Sequence, residues 1–159
     1  MTRDRSDAPD RGATARSARH LRVARPSEGT FEDLVLAVQL EHELAGFETI
    51  ARTRIDELVG GHLGDDVSRT AMILVCHAAI ARDAVDFDPR IAGLFPCTTV
   101  VYERETDGSW HVYHASAMQA THELGFFPDA DAELSRLVAM TSEQMDEVWA
   151  EIESRYGTE

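Results

Sequence analysis

The sequence predicts a single α+β domain in which strands form a sheet against two longer helices. Three observations carry this expectation. Short apolar or alternating runs of strand length are interleaved with stripes of helical period. An Asp107-Gly108 dipeptide separates two β-branched and aromatic runs. The chain of 159 residues is about one domain's worth and holds no internal repeat or low-complexity segment.

Residues 20–25, HLRVAR, alternate Leu21 and Val23 with polar side chains and read as a strand. Thr30 stands three residues before Asp33, close to a capping box. Phe31, Leu34, Val35, Val38 and Leu44 then form a stripe that stops at Gly46, which predicts a helix over 30–45. Residues 47–53 read as a second strand, and IDELVGGHLG as a short helix stopped by Gly60 and Gly61. The continuous apolar run TAMILVC, residues 70–76, suits a strand covered on both faces. Residues 78–87 predict a helix of under three turns that ends before Pro89.

Two-residue type I′ turns need positive φ at both central positions, which Asp-Gly supplies, so residues 97–103 and 110–115 are expected to pair as a hairpin. In that register Tyr102 faces Tyr113, Val101 faces His114, and Cys97 lies level with Met118. Residues 130–140 and 142–156 predict two last helices, the second with Met145, Val148, Trp149 and Ile152 on one stripe.

Charge narrows the function. The chain has 29 acidic residues against 15 basic ones, a formal charge of −14, and every one of the 15 is arginine. Such a surface repels phosphate backbones, so nucleic acid is an unfavoured partner for the body. It fits solubility, and in particular adaptation to high salt, where screening mutes self-repulsion. Residues 1–25 carry seven Arg and three Asp, near +4, which leaves the body near −18. Residues 1–18 have almost no large apolar side chain and are expected to be a disordered basic tail, with residues 19–159 as the folded domain. There is no apolar signal region and no run approaching the roughly 20 apolar residues that cross a bilayer. The expectation is a soluble cytoplasmic protein whose two cysteines are reduced thiols.

Gly46-Phe47, MILVC running into a short helix, DFDPRIAGLFPC and then TTVVYE together resemble the pattern of the domain-of-unknown-function 302 (DUF302) family, over about residues 20–116. The resemblance implies one curved, mostly antiparallel sheet with helices packed on one face, of the TATA-box-binding-protein-like class, often assembled as a homodimer. It implies no reaction. Where relatives tend to place Asn-Pro after the first cysteine, this chain has His77-Ala78, so no role of that turn carries over.

The chemistry-bearing candidates are few. His111 and His114 lie three apart in a strand, where side chains alternate faces, so they cannot share an ion. Cys97 and His114 share a face about 13 Å apart along the strands, too far for one ligand set. Cys76 ends one strand and Cys97 begins another. Antiparallel strands put the two thiols at one end of the sheet, and parallel strands put them at opposite ends. If close, Cys76, His77 and Cys97 supply three ligands suited to zinc or copper; otherwise they are small buried side chains. No CxxC or HxxxH pair supports a metal. Pairs such as Asp65-Asp66 read as solvated charge rather than a calcium loop. GxSxG, P-loop, GxGxxG and HExxH are absent, which removes their chemistries.

The leading expectation is a non-enzymatic module that binds a small-molecule ligand or a protein partner, with no cofactor. The alternatives are a thiol-based metal or redox protein using Cys76, His77 and Cys97, and a small-molecule enzyme with a pocket between sheet and helix. Val100 and Tyr102 are expected to face the core, which would leave Cys97 on the less buried face and more accessible than Cys76.

Overall fold

The computed structural model describes residues 18–23 and 29–157. Its elements, in chain order, are β1 (Ala18–Val23), α1 (Phe31–Leu44), β2 (Glu48–Arg54), α2 (Ile55–Leu63), β3 (Thr70–Cys76) and α3 (Ala78–Phe87). A 3₁₀ turn over Pro89–Leu94 leads into β4 (Cys97–Glu103), β5 (Trp110–Ala115), α4 (Ala117–Glu123) and α5 (Asp131–Tyr156). The five strands form one open sheet in the order β1-β5-β4-β3-β2, every neighbour antiparallel.

The helices lie on one side, and strand parity decides what they cover. Ala71, Ile73 and Val75 of β3 alternate with half-buried Met72 and Leu74, and only the first set is buried. It packs with Val101 and Cys97 of β4, Trp110 and Val112 of β5 and Leu21 and Val23 of β1. Against this face lie Phe31, Leu34, Val35 and Val38 of α1 and the Met145, Val148, Trp149 and Ile152 stripe of α5. The first half of α5 leaves the sheet: Leu134 and Leu137 join Ile80, Ala84, Ile91 and Met118 in a second cluster. Glu41 of α1, buried, is paired with Arg155 of α5 at 2.7 Å.

Helix α1 starts as its sequence requires. The Thr30 hydroxyl accepts from the Asp33 amide at 3.1 Å, and the Asp33 carboxylate accepts from the Thr30 amide at 2.7 Å. Gly46, at φ +88, closes its far end.

Several expectations are corrected. Helix α2 runs through Gly60 and Gly61 and stops at Gly64, whose φ of +72 is the left-handed cap. Strand β3 is covered on one face, not both: its apolar run is continuous, yet among the described residues no helix packs over half-buried Met72 and Leu74. Residues 130–140 and 142–156 are one helix, because no Gly or Pro interrupts them and the Thr141 hydroxyl bonds back to the Leu137 carbonyl at 2.8 Å. Helix α4 was not expected; Ser116 caps it by accepting from the Gln119 amide.

The β4–β5 hairpin forms between the predicted strands with a longer turn. Arg104 pairs with Ser109, and Gly108 at φ +65 donates to the Arg104 carbonyl. Tyr102 therefore faces His111, and Val101 faces Val112. The shift is two residues, so facing partners change while each side chain keeps its face. The face carrying Cys97, Thr99 and Val101 is nevertheless the buried one, opposite to expectation, because Trp110, Val112 and Leu21 outweigh Tyr102, Tyr113 and Val100. The expected tail, residues 1–18, lies outside the described residues except Ala18, which opens β1.

Candidate functional site

The antiparallel pairing of β3 with β4 sets Val75 opposite Cys97 and brings both cysteines to one end of the sheet. Cys76, His77 and Cys97 line a common cavity with Phe47, Ile80, Phe95, Met118 and Thr141. The cavity holds about 10 Å3, room for about one water. His77 caps α3, its ring lies edge-on to Phe47 at 5.4 Å, and its buried Nδ1 has no hydrogen-bond partner among the described residues.

Cys97 is 6% exposed, which corrects the expected accessible thiol. Burial, with Cys76 as a second influence, pushes the Cys97 thiol up to about 11; burial also raises Cys76. Both are protonated at neutral pH, and a thiol is a poor nucleophile and metal ligand until it ionises. Among the described residues, no group of three or more His, Cys, Asp and Glu side chains stands together as a metal ion requires.

The two histidines of HVYH part as strand alternation demands. His114 points into the core, 1% exposed. There the His42 Nδ1–H donates to the Val38 carbonyl at 2.7 Å, which leaves the His42 Nε2 to accept from the Thr99 hydroxyl at 2.9 Å. The Thr99 oxygen in turn accepts from His114 Nδ1–H at 3.1 Å. Burial, then the neighbouring His42 and Arg19, holds His114 down to about 3. Burial also lowers His42. Both imidazoles are neutral structural groups at physiological pH.

The other face of the sheet has no covering layer among the described residues. Its strands present Ala51 and Thr53; Thr70, Met72 and Leu74; Thr98, Val100 and Tyr102; His111, Tyr113 and Ala115; and Ala18, His20 and Arg22. Tyr113 is 37% exposed. Glu48, opposite Cys76 at one corner, is the carboxylate that this parity brings to the face. In a chain with 29 acidic residues, that scarcity of acid distinguishes the face from the rest of the surface.

At the hairpin end of this face five polar groups connect. Asp107 accepts from the Ser109 hydroxyl at 2.5 Å, and Ser109 Oγ lies 2.8 Å from His111 Nε2. His111 Nδ1 lies 3.0 Å from His20 Nε2, which is 3.1 Å from the Tyr102 hydroxyl. The sequence reading missed this cluster, since it needs the β1–β5 pairing that sets Arg22 against His111. One signal was available: strand parity puts His20, Tyr102 and His111 on the same face once the register is known.

Comparison with known proteins follows the same outline. A family model described as "Domain of unknown function DUF302" matches residues 23–152. No curated protein matches the chain. A solved structure titled "Crystal structure of uncharacterized conserved protein DUF302 from Bacillus stearothermophilus" is similar with a TM-score of 0.69 and 13% sequence identity. The alignment covers 84% of this chain and 96% of that one.

Proposed function

Because the chain belongs to the DUF302 family, for which no reaction is described, we propose from its own geometry that it is a non-enzymatic interaction module whose open sheet face docks a second copy of the same chain. The observation that carries this reading is the acid-poor apolar face centred on Met72, Leu74, Val100 and Tyr113 in a molecule of charge −14. A surface that meets its own copy across a two-fold axis doubles every like charge it holds. A self-docking face is therefore expected to exclude carboxylates, and this one does so over its centre.

A broad sheet face of five strands favours a protein surface over an enclosed small molecule. Five strands about 4.8 Å apart and about 20 Å long give roughly 500 Å2 per copy, or about 1,000 Å2 over two. That is the lower end of a specific interface, so the association is expected to be weak and reversible.

Sedimentation of the chain at micromolar concentrations tests it, together with Val100→Glu, which places one carboxylate per copy at the centre of the face. The reading expects, for the wild type, an average mass that climbs with concentration toward twice the 17.6 kDa chain, and a single-chain mass for the variant, with equal helix content. A wild type that is monomeric throughout, or a variant that still pairs, contradicts it.

A second reading rests on one observation, the unpartnered Nδ1 of His77, a residue that lines one small cavity with both thiols, although these three side chains do not stand together as a metal site in this structure. In it Cys76, His77 and Cys97 form a thiol-based site for zinc or copper. Mass-spectrometric metal analysis of untagged protein tests this. A stoichiometric metal lost in Cys76→Ser or Cys97→Ser supports it, and metal-free protein contradicts it.

A further inference from the structure

We propose that the hairpin corner of the open face is a proton-accepting binding site for a weak organic acid, with His20 Nδ1 as the acceptor and Asp107, Ser109 and His111 as its positioning residues. The direction of the hydrogen bonds along the Asp107–Ser109–His111–His20 chain follows from its far end, and it leaves the Tyr102 oxygen, 3.1 Å from His20 Nε2, as a second acceptor of that nitrogen's proton. Asp107 is paired with Arg22 at 3.5 Å and accepts from both the Ser109 hydroxyl and amide, which hold its carboxyl below the usual range. It is ionised and accepts only. The single Ser109 hydroxyl proton therefore points to Asp107, and Ser109 Oγ accepts from His111 Nε2–H. A neutral His111 then has its lone pair on Nδ1, which accepts from His20 Nε2–H.

Burial and the Arg104 guanidinium lower His20, and burial, His20 and Arg104 lower His111, so both rings are neutral near pH 7. One position remains open. His20 Nδ1 carries a lone pair, and no hydrogen bond to it exists among the described residues, on a side chain that is exposed at the edge strand. This is the arrangement of an oriented base: the far nitrogen is fixed by a donor bond that runs to a carboxylate.

The surroundings set the ligand class. Tyr113 stands tilted at 6.4 Å from the His20 ring and Tyr102 lies near-parallel at 6.3 Å, so the flanks are aromatic. The charged groups facing the cluster are Arg22 and Arg104, with Asp107 the carboxylate. A planar O–H or N–H acid that passes its proton to His20 Nδ1 leaves an anion beside the two guanidiniums and an imidazolium coupled through His111 and Ser109 to Asp107. Only the proton moves. The site stands at a sheet corner on β1 and is built from one chain, but it shares Tyr113 with the proposed docking face, so a ligand and a second copy meet at that ring.

The test uses 4-nitrophenol, whose phenolate is yellow and whose ionisation lies near neutral pH. It is added to full-length protein slightly below its own ionisation point, with sedimentation run on the same samples so that self-association is scored separately. The expected result is phenolate colour in excess of a protein-free control. That excess falls at least tenfold in His20→Gln, falls severalfold in Asp107→Asn with the probe still bound, and is unchanged in His62→Gln. Nitrogen NMR of the imidazoles is expected to show His20 and His111 as Nε2–H tautomers. No excess colour, equal colour in His20→Gln, or a His20 Nδ1–H tautomer overturns the proposal.

Discussion

Lowering the pH below neutrality is expected to destabilise this fold through His114. Unfolded, the imidazole binds a proton near 6.5; folded, it does so only near 3. Between those values the unfolded state holds more protons, so stability is full above about 6.5 and is lost as pH falls toward 3. Each pH unit in that window is worth about 1.4 kcal/mol, and the whole window about 5 kcal/mol. That is a large part of the roughly 5–15 kcal/mol by which a domain is stable. His42, lowered by the same burial, acts in the same direction. Relief of repulsion among the acids opposes both as carboxylates protonate, so the wild type alone does not isolate the effect. Urea unfolding from pH 7 to 4.5 at fixed ionic strength, with His114→Gln alongside, does. Glutamine keeps a donor for Thr99 but cannot titrate. The variant is less stable at pH 7, and the gap is expected to close by about 1.4 kcal/mol per pH unit below 6.5. Stability curves that run parallel over this range would refute the reasoning.

Further outcomes follow from the same structure. A maleimide is expected to label Cys76 before Cys97, since Cys97 is 6% exposed and its thiol is raised to about 11; mass mapping that finds Cys97 first contradicts this. Arg155→Ala leaves the buried Glu41 carboxylate without its cation and should cost about 1–3 kcal/mol, largely restored by adding Glu41→Gln. A Glu41→Gln/Arg155→Ala protein no more stable than Arg155→Ala would assign the loss to packing instead. With a formal charge of −14 the melting point should rise as salt shortens the Debye length from about 30 Å at 0.01 M to about 3 Å at 1 M, and a flat or falling midpoint contradicts the repulsion behind it.

Local signals made much of the fold legible. Thr30 with Asp33, Gly46 beyond the helix stripe and the β-branched run after Pro96 each act within a few residues, and the elements they mark lie where they predict. The errors arose where distant packing decides. The apolar run of β3 cannot say how many of its faces are covered, because Met72 and Leu74 are as apolar as Ile73 and Val75. The choice between Val100 and Val101 for the core rested on which face α1 and α5 occupy, and no residue of the hairpin reports that. Asp107-Gly108 signalled a turn but not its length, which depends on the Arg104–Ser109 pair closing it. The thiols were traced to one end of the sheet only conditionally, and the antiparallel β3–β4 ladder supplies the missing condition. The His20 cluster joins residues 91 apart in sequence and needed the β1–β5 register to be seen at all.

The central claim, that the acid-poor sheet face meets its own copy, is tested most directly by isotope-filtered NMR on an equal mixture of labelled and unlabelled chains. The account predicts intermolecular contacts among the methyl groups of Met72, Leu74 and Val100 and the ring of Tyr113, which disappear on dilution and in Val100→Glu. Absence of intermolecular contacts at millimolar concentration, or contacts that arise instead from exposed Leu44, Leu124 or Phe126 on the helical side, would contradict it.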